Sequence, residues 1–335
     1  MSISNSPIAK RMLGSTGLSV SEIGFGSSPF SGRTYGRIDR EQASNALRTY
    51  LHRGGNFIDT ARSYNDAELI IGEVIKETGN RDKLVLASKT ARIAESDIRR
   101  HLEESLQALG TDYLDVLYLH WPPEDDAEKR DVLRIFSKLK NEKLVKAIGV
   151  SIPGPDVTSD SVCMAKWFLE TGQVDVLQLI FSVLRQKFRN VIADAHARGM
   201  GVVCRTVLES GFLTGKYRPG ARFDDKRKRW NPSMLRNIYD SVARLEEFAL
   251  PEYESLGKFA TRFVLDEPDV SSAIIGAKSE DQLLSNLSAA SMPPLDREIR
   301  SRLLAVYANE TEKYNAGKRP LPSRIIRKIR RTLHV

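Results

Sequence analysis

Along this chain, short apolar runs rich in Val, Ile and Leu alternate with longer stretches whose apolar residues recur at helical spacing. The runs that read as strands are "EIGFG" (22–26), "NFIDT" (56–60), "LVLASK" (84–89), "LDVLYLH" (114–120), "KAIGVS" (146–151), "VDVLQL" (174–179), "GVVCRT" (201–206) and "SAIIGA" (272–277). Between them lie amphipathic segments such as "DREQASNALRTYLHRG" and "ESDIRRHLEESLQALG", each with a Gly where a helix C-terminus would stop. Continuous apolar strands are buried on both faces, and their alternation with helices implies parallel pairing through crossovers. Eight such units in about 250 residues match a single-domain α/β protein, a (β/α)8 TIM barrel, better than two doubly wound domains. No linker rich in Pro, Gly or Ser divides the chain. "KRMLGSTGLSV" (10–20) predicts a hairpin capping one end of the barrel. The one large irregular gap, 207–250, carries "RPGARFDDKRKRWNPSM" and reads as a lid loop.

Composition changes this picture little. With 335 residues, 41% hydrophobic and 28% charged, the chain is an ordinary globular protein. No apolar run is long enough for a signal peptide or for the roughly 20 residues of a membrane span, which predicts a cytoplasmic protein. Cys163 and Cys204 sit in apolar stretches without zinc-site spacing and read as reduced core residues. The net charge of +8 is concentrated at the end: Lys318, Arg319, Arg324, Arg327, Lys328, Arg330 and Arg331 face no acid after residue 316, so the preceding 316 residues hold a net charge of only +1. Nucleic acid is therefore not an expected partner of the barrel, residues 1–316. In the tail, residues 317–335, Ile326, Ile329 and Leu333 recur on one side of a basic amphipathic helix, a pattern suited to weak contact with an anionic membrane surface or an acidic partner.

In a parallel barrel the C-terminal strand ends converge on one face. Asp59 ends the second strand, Tyr64 follows it, Lys89 ends the third and His120 the fourth. The later strands end on or carry Ser151, Gln178, Arg205 and Gly276. Singly, each has an ordinary explanation: a cap, a packed ring, a solvated rim charge. Together, Tyr, Lys, Asp and His on one face form a device for moving a proton to or from a carbonyl oxygen. Tyrosine has a reference pKa of about 10. A neighbouring ammonium is expected to lower it, with a carboxylate holding that ammonium in place.

The motifs "GFGSSPFSG", "FIDTARSY", "LVLASK", "YLDVLYLHWP", "KAIGVS", "VDVLQL", "SGFLTGKY" and "SAIIGAKSEDQLLSN", in this order over roughly residues 10 to 310, resemble the aldo-keto reductase superfamily. The resemblance implies a (β/α)8 barrel that binds NAD(P)H extended and reduces aldehydes or ketones, or oxidises the matching alcohol or sugar, without a metal. It makes Tyr64 the proton donor, tuned by Lys89 and Asp59, with His120 orienting the carbonyl. It assigns cofactor contacts to Gly26 and Ser27, and the nicotinamide carboxamide to Ser151 and Gln178. The residue after Ser151, usually Asn in the family, is Ile152. Arg205 stands where an aromatic ring often stacks, and its flat guanidinium can take that place. Leu208, Ser210 and Gly211 would pass the pyrophosphate, with Lys216 nearby and Gly276 at the mouth. Lys278 matches a site for the adenosine 2′-phosphate, while Gln282 and Asn286 flank the adenine, so NADP(H) is favoured over NAD(H).

Other readings fit less well. A dinucleotide fingerprint starting at Gly24 would need a glycine where Pro29 stands. A metal-dependent hydrolase would need strand-end His pairs, and none of the five His forms one. The rival from another class is a nucleotide-binding regulatory subunit of the same fold that acts through a protein partner, as the potassium-channel β subunits of the superfamily suggest. Phe30, Trp121 and Trp230 are candidate walls of a pocket for a small carbonyl or sugar substrate.

Overall fold

A computed structural model describes residues 7–154, 158–249 and 251–310. The basic tail expected at 317–335 lies outside them. Among the described residues there are ten strands: β1 (Lys10–Met12), β2 (Ser19–Ser21), β3 (Ile23–Gly26), β4 (Phe57–Asp59), β5 (Val85–Thr90), β6 (Leu114–His120), β7 (Val145–Ser151), β8 (Val176–Ile180), β9 (Gly201–Arg205) and β10 (Ser272–Ile275). The last eight pair in parallel and close into a barrel in the order β10-β3-β4-β5-β6-β7-β8-β9. These are the eight expected strands, each end within two residues of its predicted position. Around them run α1 (Arg40–His52), α2 (Ala67–Thr78), α3 (Glu95–Leu109), α4 (Asp126–Asn141), α5 (Ser159–Thr171), α6 (Arg189–Ala197), α7 (Pro232–Glu246), α8 (Leu256–Leu265), α9 (Glu280–Leu287) and α10 (Arg297–Val306). No helix among the described residues is long and apolar enough to cross a membrane.

The helices begin and end where local chemistry dictates. Asp39 caps α1 by accepting from the backbone N–H of Glu41 and Gln42, and Gly110 closes α3 in the left-handed conformation at φ 65°. The expected lid, 207–250, is only partly irregular. Asn231 accepts from Met234 N at 2.9 Å and Pro232 opens α7, which buries Met234, Ile238, Val242 and Leu245 at helical spacing. Cys163 also departs from expectation. It sits on the exposed side of α5, whereas Cys204 is buried in β9.

The two-residue period of the strands sorts their side chains. Outward residues such as Ile58, Leu86, Leu117 and Leu177 pack under the helices, where each buried apolar side chain contributes about 1.5–3 kcal/mol. Inward residues fill the barrel, with Phe57, Val85, Val116, Tyr118, Val176 and Ile274 in one cluster. The β1–β2 hairpin closes the bottom by adding Leu13 and Val20 to that cluster. Its turn is wedged so tightly that a Cβ on Gly14, at φ 55°, would lie 2.3 Å from Gly201 N. Large and small residues alternate inside. Tyr118 is fully buried beside Gly149, its partner in the β6–β7 register, and a Cβ there would lie 2.3 Å from the Tyr118 ring. Gly149→Ala should therefore cost about 1–3 kcal/mol in denaturant unfolding. Tyr118→Leu in the same chain should recover part of that loss, because the two residues share one space.

Candidate active site

Above the apolar layer, the inward columns carry Gly26, Asp59, Lys89, His120, Ser151, Gln178, Arg205 and, one residue past β10, Gly276, with Ile180 one step beyond Gln178 and paired with Arg205. Strand parity therefore brings these predicted residues to one mouth. Asp59 and Lys89 are buried, and Lys89 Nζ donates to Asp59 Oδ2 at 2.6 Å and to Thr60 O at 2.7 Å. Gln178 Nε2 donates to the other carboxylate oxygen, Asp59 Oδ1, at 2.7 Å, and Ser151 Oγ donates to Gln178 Oε1 at 2.9 Å. A carboxylate only accepts, so the Gln178 amide has one orientation and the Ser151 hydroxyl must donate to it. The result is a chain of four buried side chains from β7 to β5.

Tyr64 stands on the loop between β4 and α2. Arg62 N donates to Lys89 O at 3.2 Å, Tyr64 N to Ala61 O at 2.9 Å, and Asn65 Nδ2 to Ser31 O at 2.7 Å. A buried carboxylate braces the same loop, since Glu68 accepts from Ser88 Oγ at 2.6 Å and pairs with Arg62 at 3.4 Å. The Tyr64 and His120 rings meet edge to face with centroids 6.2 Å apart, and Lys89 Nζ lies 5.4 Å from the Tyr64 centroid. Trp121 follows His120 with a positive φ of 59°, unusual for a bulky residue, and tilts over the His120 ring at 5.0 Å.

The electrostatics differ from expectation at one point. Burial, reinforced by the charge of Asp59 and opposed by Arg205, pushes the Tyr64 phenol up rather than down. The ammonium of Lys89 is committed to Asp59 and Thr60, and burial pulls it below the usual lysine range against the pull of Asp59. Burial, together with the charges of Lys89, Arg205 and Lys226, holds His120 well below the usual histidine range, so its ring is neutral.

The remaining predicted residues surround the loops after β9 and β10. Leu208 leads into a turn in which Glu209, Ser210 and Gly211 take positive φ of 47°, 57° and 92°. Glu209 is fully buried, pairs with Arg185 at 2.7 Å and accepts from Ser182, a clamp between the β8 and β9 loops. Ser27 is fully buried with its hydroxyl unpartnered. Lys278 Nζ donates to Tyr35 O and, at 3.4 Å, to Arg37 O, while its own N–H donates to Gln282 Oε1 at 3.0 Å. Asn286 Nδ2 donates to Gly276 O at 3.3 Å. The Arg227 guanidinium, which sequence reasoning missed, lies 4.6 Å from the Tyr217 ring, 4.8 Å from Phe223 and 5.6 Å from Tyr35, and donates to Ser210 O at 3.3 Å. Burial lowers the Lys278 ammonium, with the charges of Arg227 and Lys216 adding to it and those of Asp225, which pairs with Arg227, and Asp224 opposing it. Two suggested pocket walls are core residues instead: Phe30 packs edge-on against Phe25, and Trp230 packs against Phe212.

A closed (β/α)8 barrel with a Tyr, a Lys, an Asp and a His at its C-terminal mouth defines a class of oxidoreductase. A sequence profile described as "Aldo/keto reductase family" matches residues 22–308, so the chain belongs to that family. It is similar to the NADH-specific methylglyoxal reductase of Escherichia coli, 26% identical over 83% of this chain and 92% of that one. It is likewise similar to a probable voltage-gated potassium channel subunit beta of Arabidopsis thaliana, 29% identical over 84% and 91%. Among solved structures, the holo form of aldo-keto reductase AKR11C1 from Bacillus halodurans superposes with a TM-score of 0.73 at 26% identity, covering 89% of this chain and 96% of that one.

Because burial and Asp59 both raise Tyr64, its phenol should stay protonated in the free protein up to about pH 10. NMR of ring-labelled tyrosine checks this, with the Tyr64 signal assigned by its loss in Tyr64→Phe. Titration between about pH 7 and 9 would instead mean that the Lys89 ammonium lowers the phenol.

Proposed function

We propose that the protein reduces a small aldehyde or ketone with a nicotinamide cofactor, with Tyr64 as proton donor. The observation that carries this reading is the buried chain Ser151–Gln178–Asp59–Lys89, which ends beside Tyr64 and His120. The residues fit the cofactor. A Ser–Gln pair with hydrogen-bonding capacity to spare faces the mouth, Ser27 Oγ and Arg205 Nε are buried without partners, the Ser210–Gly211 turn has positive φ, and Lys216, Arg227 and Lys278 gather at the far end. When bound, the cofactor supplies the hydride that adds to the carbonyl carbon. Negative charge then grows on the carbonyl oxygen, and Tyr64 delivers its phenolic proton there. His120, neutral and 6.2 Å from the Tyr64 ring between centroids, offers a ring N–H to the same oxygen and so orients the carbonyl. Lys89, with an ammonium held by Asp59 and Thr60, stabilises the phenolate left behind. In the reverse direction that phenolate would accept the proton of an alcohol or sugar hydroxyl.

The relative named as a channel subunit raises a regulatory role through a protein partner. A buried Asp–Lys pair hydrogen-bonded to a Gln–Ser pair is not needed for such a role, and it favours the enzyme. For the cofactor, Lys278 supports NADP(H) over NAD(H), although the Escherichia coli relative is named for NADH. The carbonyls of Tyr35 and Arg37 that hold the Lys278 ammonium are oxygen acceptors a 2′-phosphate would replace.

Steady-state oxidation of NADPH and NADH against a panel of aldehydes and sugars tests the reading. Tyr64→Phe should lower turnover by about a hundredfold to ten-thousandfold while leaving cofactor affinity nearly intact, and near wild-type turnover would sink the mechanism. Lys278→Ala should weaken NADPH binding by about 1.5–3 kcal/mol and leave NADH almost unchanged. Equal losses in a fluorescence titration would make Lys278 a loop brace rather than a phosphate ligand.

A further inference from the structure

Of the eight inward strand ends at the mouth, three carry a formal charge: Asp59, Lys89 and Arg205. Asp59 and Lys89 neutralise each other at 2.6 Å. Arg205 has no such partner. Its Nη2 donates to Ile152 O at 2.8 Å and its Nη1 to Thr206 Oγ1 at 3.4 Å, both uncharged oxygens, and its Nε is buried with no partner. Among the described residues, no carboxylate lies within ion-pair distance of it. The guanidinium is also confined, because a Cβ on Gly154 would lie 3.1 Å from Nη2. Arginine keeps its charge at every pH the fold survives. Among these strand ends, two cations therefore face one anion, and the uncompensated charge is that of Arg205.

That charge sits next to the candidate nicotinamide site. Ser151, Gln178 and Arg205 come from the successive strands β7, β8 and β9, and Ile152 links them: its N–H donates to Gln178 O at 2.9 Å while its carbonyl takes Arg205. We propose that Arg205 makes the site discriminate between the redox states of its cofactor, holding the neutral dihydronicotinamide form in preference to the cationic oxidised form. The inference rests on the reading that Ser151 and Gln178 mark the place of the nicotinamide. A positive ring brought into a poorly solvated mouth beside an uncompensated guanidinium is repelled, and the neutral ring is not. At the effective dielectric of such sites, two like charges within one pocket repel strongly enough to change affinity by roughly tenfold or more. A neutral ring beside the guanidinium instead offers it a flat stacking surface. The asymmetry loads the reduced form and hastens departure of the oxidised one, the order in which a reductase needs them.

Parallel equilibrium titrations of the purified protein with NADPH and NADP+, and with NADH and NAD+, followed by calorimetry, test this without turnover. Wild type should bind the reduced member of a pair at least about tenfold tighter than the oxidised one. Arg205→Met should bring the two affinities within about threefold, mainly by tightening the oxidised form, and Arg205→Lys, which keeps the charge, should retain most of the preference. Equal wild-type affinities, equal weakening of both forms in Arg205→Met, or loss of the preference in Arg205→Lys would each overturn the proposal. If wild type bound no form of either cofactor, the cofactor reading itself would fall, an outcome distinct from equal binding.

Discussion

The mouth of this barrel is organised by one buried ion pair, Lys89 with Asp59, at 2.6 Å. Taking both charges out of water is costly, and hydrogen bonds offset it: Thr60 O takes a second of the three ammonium protons, and Gln178 satisfies the second carboxylate oxygen. Removing one partner from a buried pair of this kind costs about 3–5 kcal/mol, whereas an apolar pair of matching shape can be as stable or more so. Stability alone therefore does not explain it. What the pair gives the site is direction, since Asp59 fixes the Gln178 amide and the amide in turn fixes which way the Ser151 hydroxyl points. The candidate cofactor pair is thus joined by hydrogen bonds of set polarity to Lys89, whose ammonium lies 5.4 Å from the centre of the Tyr64 ring, before any ligand arrives.

Burial shapes the protonation states around that pair. Tyr64 is shifted toward its neutral phenol and His120 toward its neutral ring, both mainly because the mouth is poorly solvated. A neutral acid and a neutral hydrogen-bond donor suit the protonation of a carbonyl that becomes anionic as it reacts. The same low solvation makes the unneutralised charge of Arg205 matter more than a surface arginine would, because little water screens it.

Around the mouth, division of labour follows the two ends of the barrel. The hairpin plugs the N-terminal end with Leu13 and Val20, while the C-terminal loops carry the polar and strained features. The Arg185–Glu209 clamp and the contacts of the Arg227 guanidinium with the Tyr217 and Phe223 rings hold the β9 loop in its positive-φ path, and Lys278 ties the β3 loop to the end of β10 through the Tyr35 and Arg37 carbonyls. Strained backbone of this kind persists only when its surroundings over-determine it, and these contacts do so.

The strands, their parallel order and the convergence of Asp59, Lys89, His120, Ser151, Gln178 and Arg205 were legible because they follow from local periodicity. Two-residue alternation decides which side chains enter a barrel, and apolar runs separated by helical repeats decide that a barrel forms. Helix α7 was also within reach: Asn231, Pro232 and the spacing of Met234, Ile238, Val242 and Leu245 are helix signals, overlooked inside a stretch dominated by charges. Other features could not be read along the chain. That Cys163 faces solvent depends on which side of α5 meets the barrel. That Gly149 makes room for Tyr118 depends on the register of β6 against β7. The bond from Gln178 to Asp59 joins residues 119 positions apart, and the upward shift of Tyr64 depends on how much water reaches the mouth. Sequence alone determined which residues reach the mouth, because that depends on chain direction and period. Only the tertiary structure decided which of them bond, which are neutralised and which charge is left over, because those depend on distances and burial set by packing between elements remote in the chain.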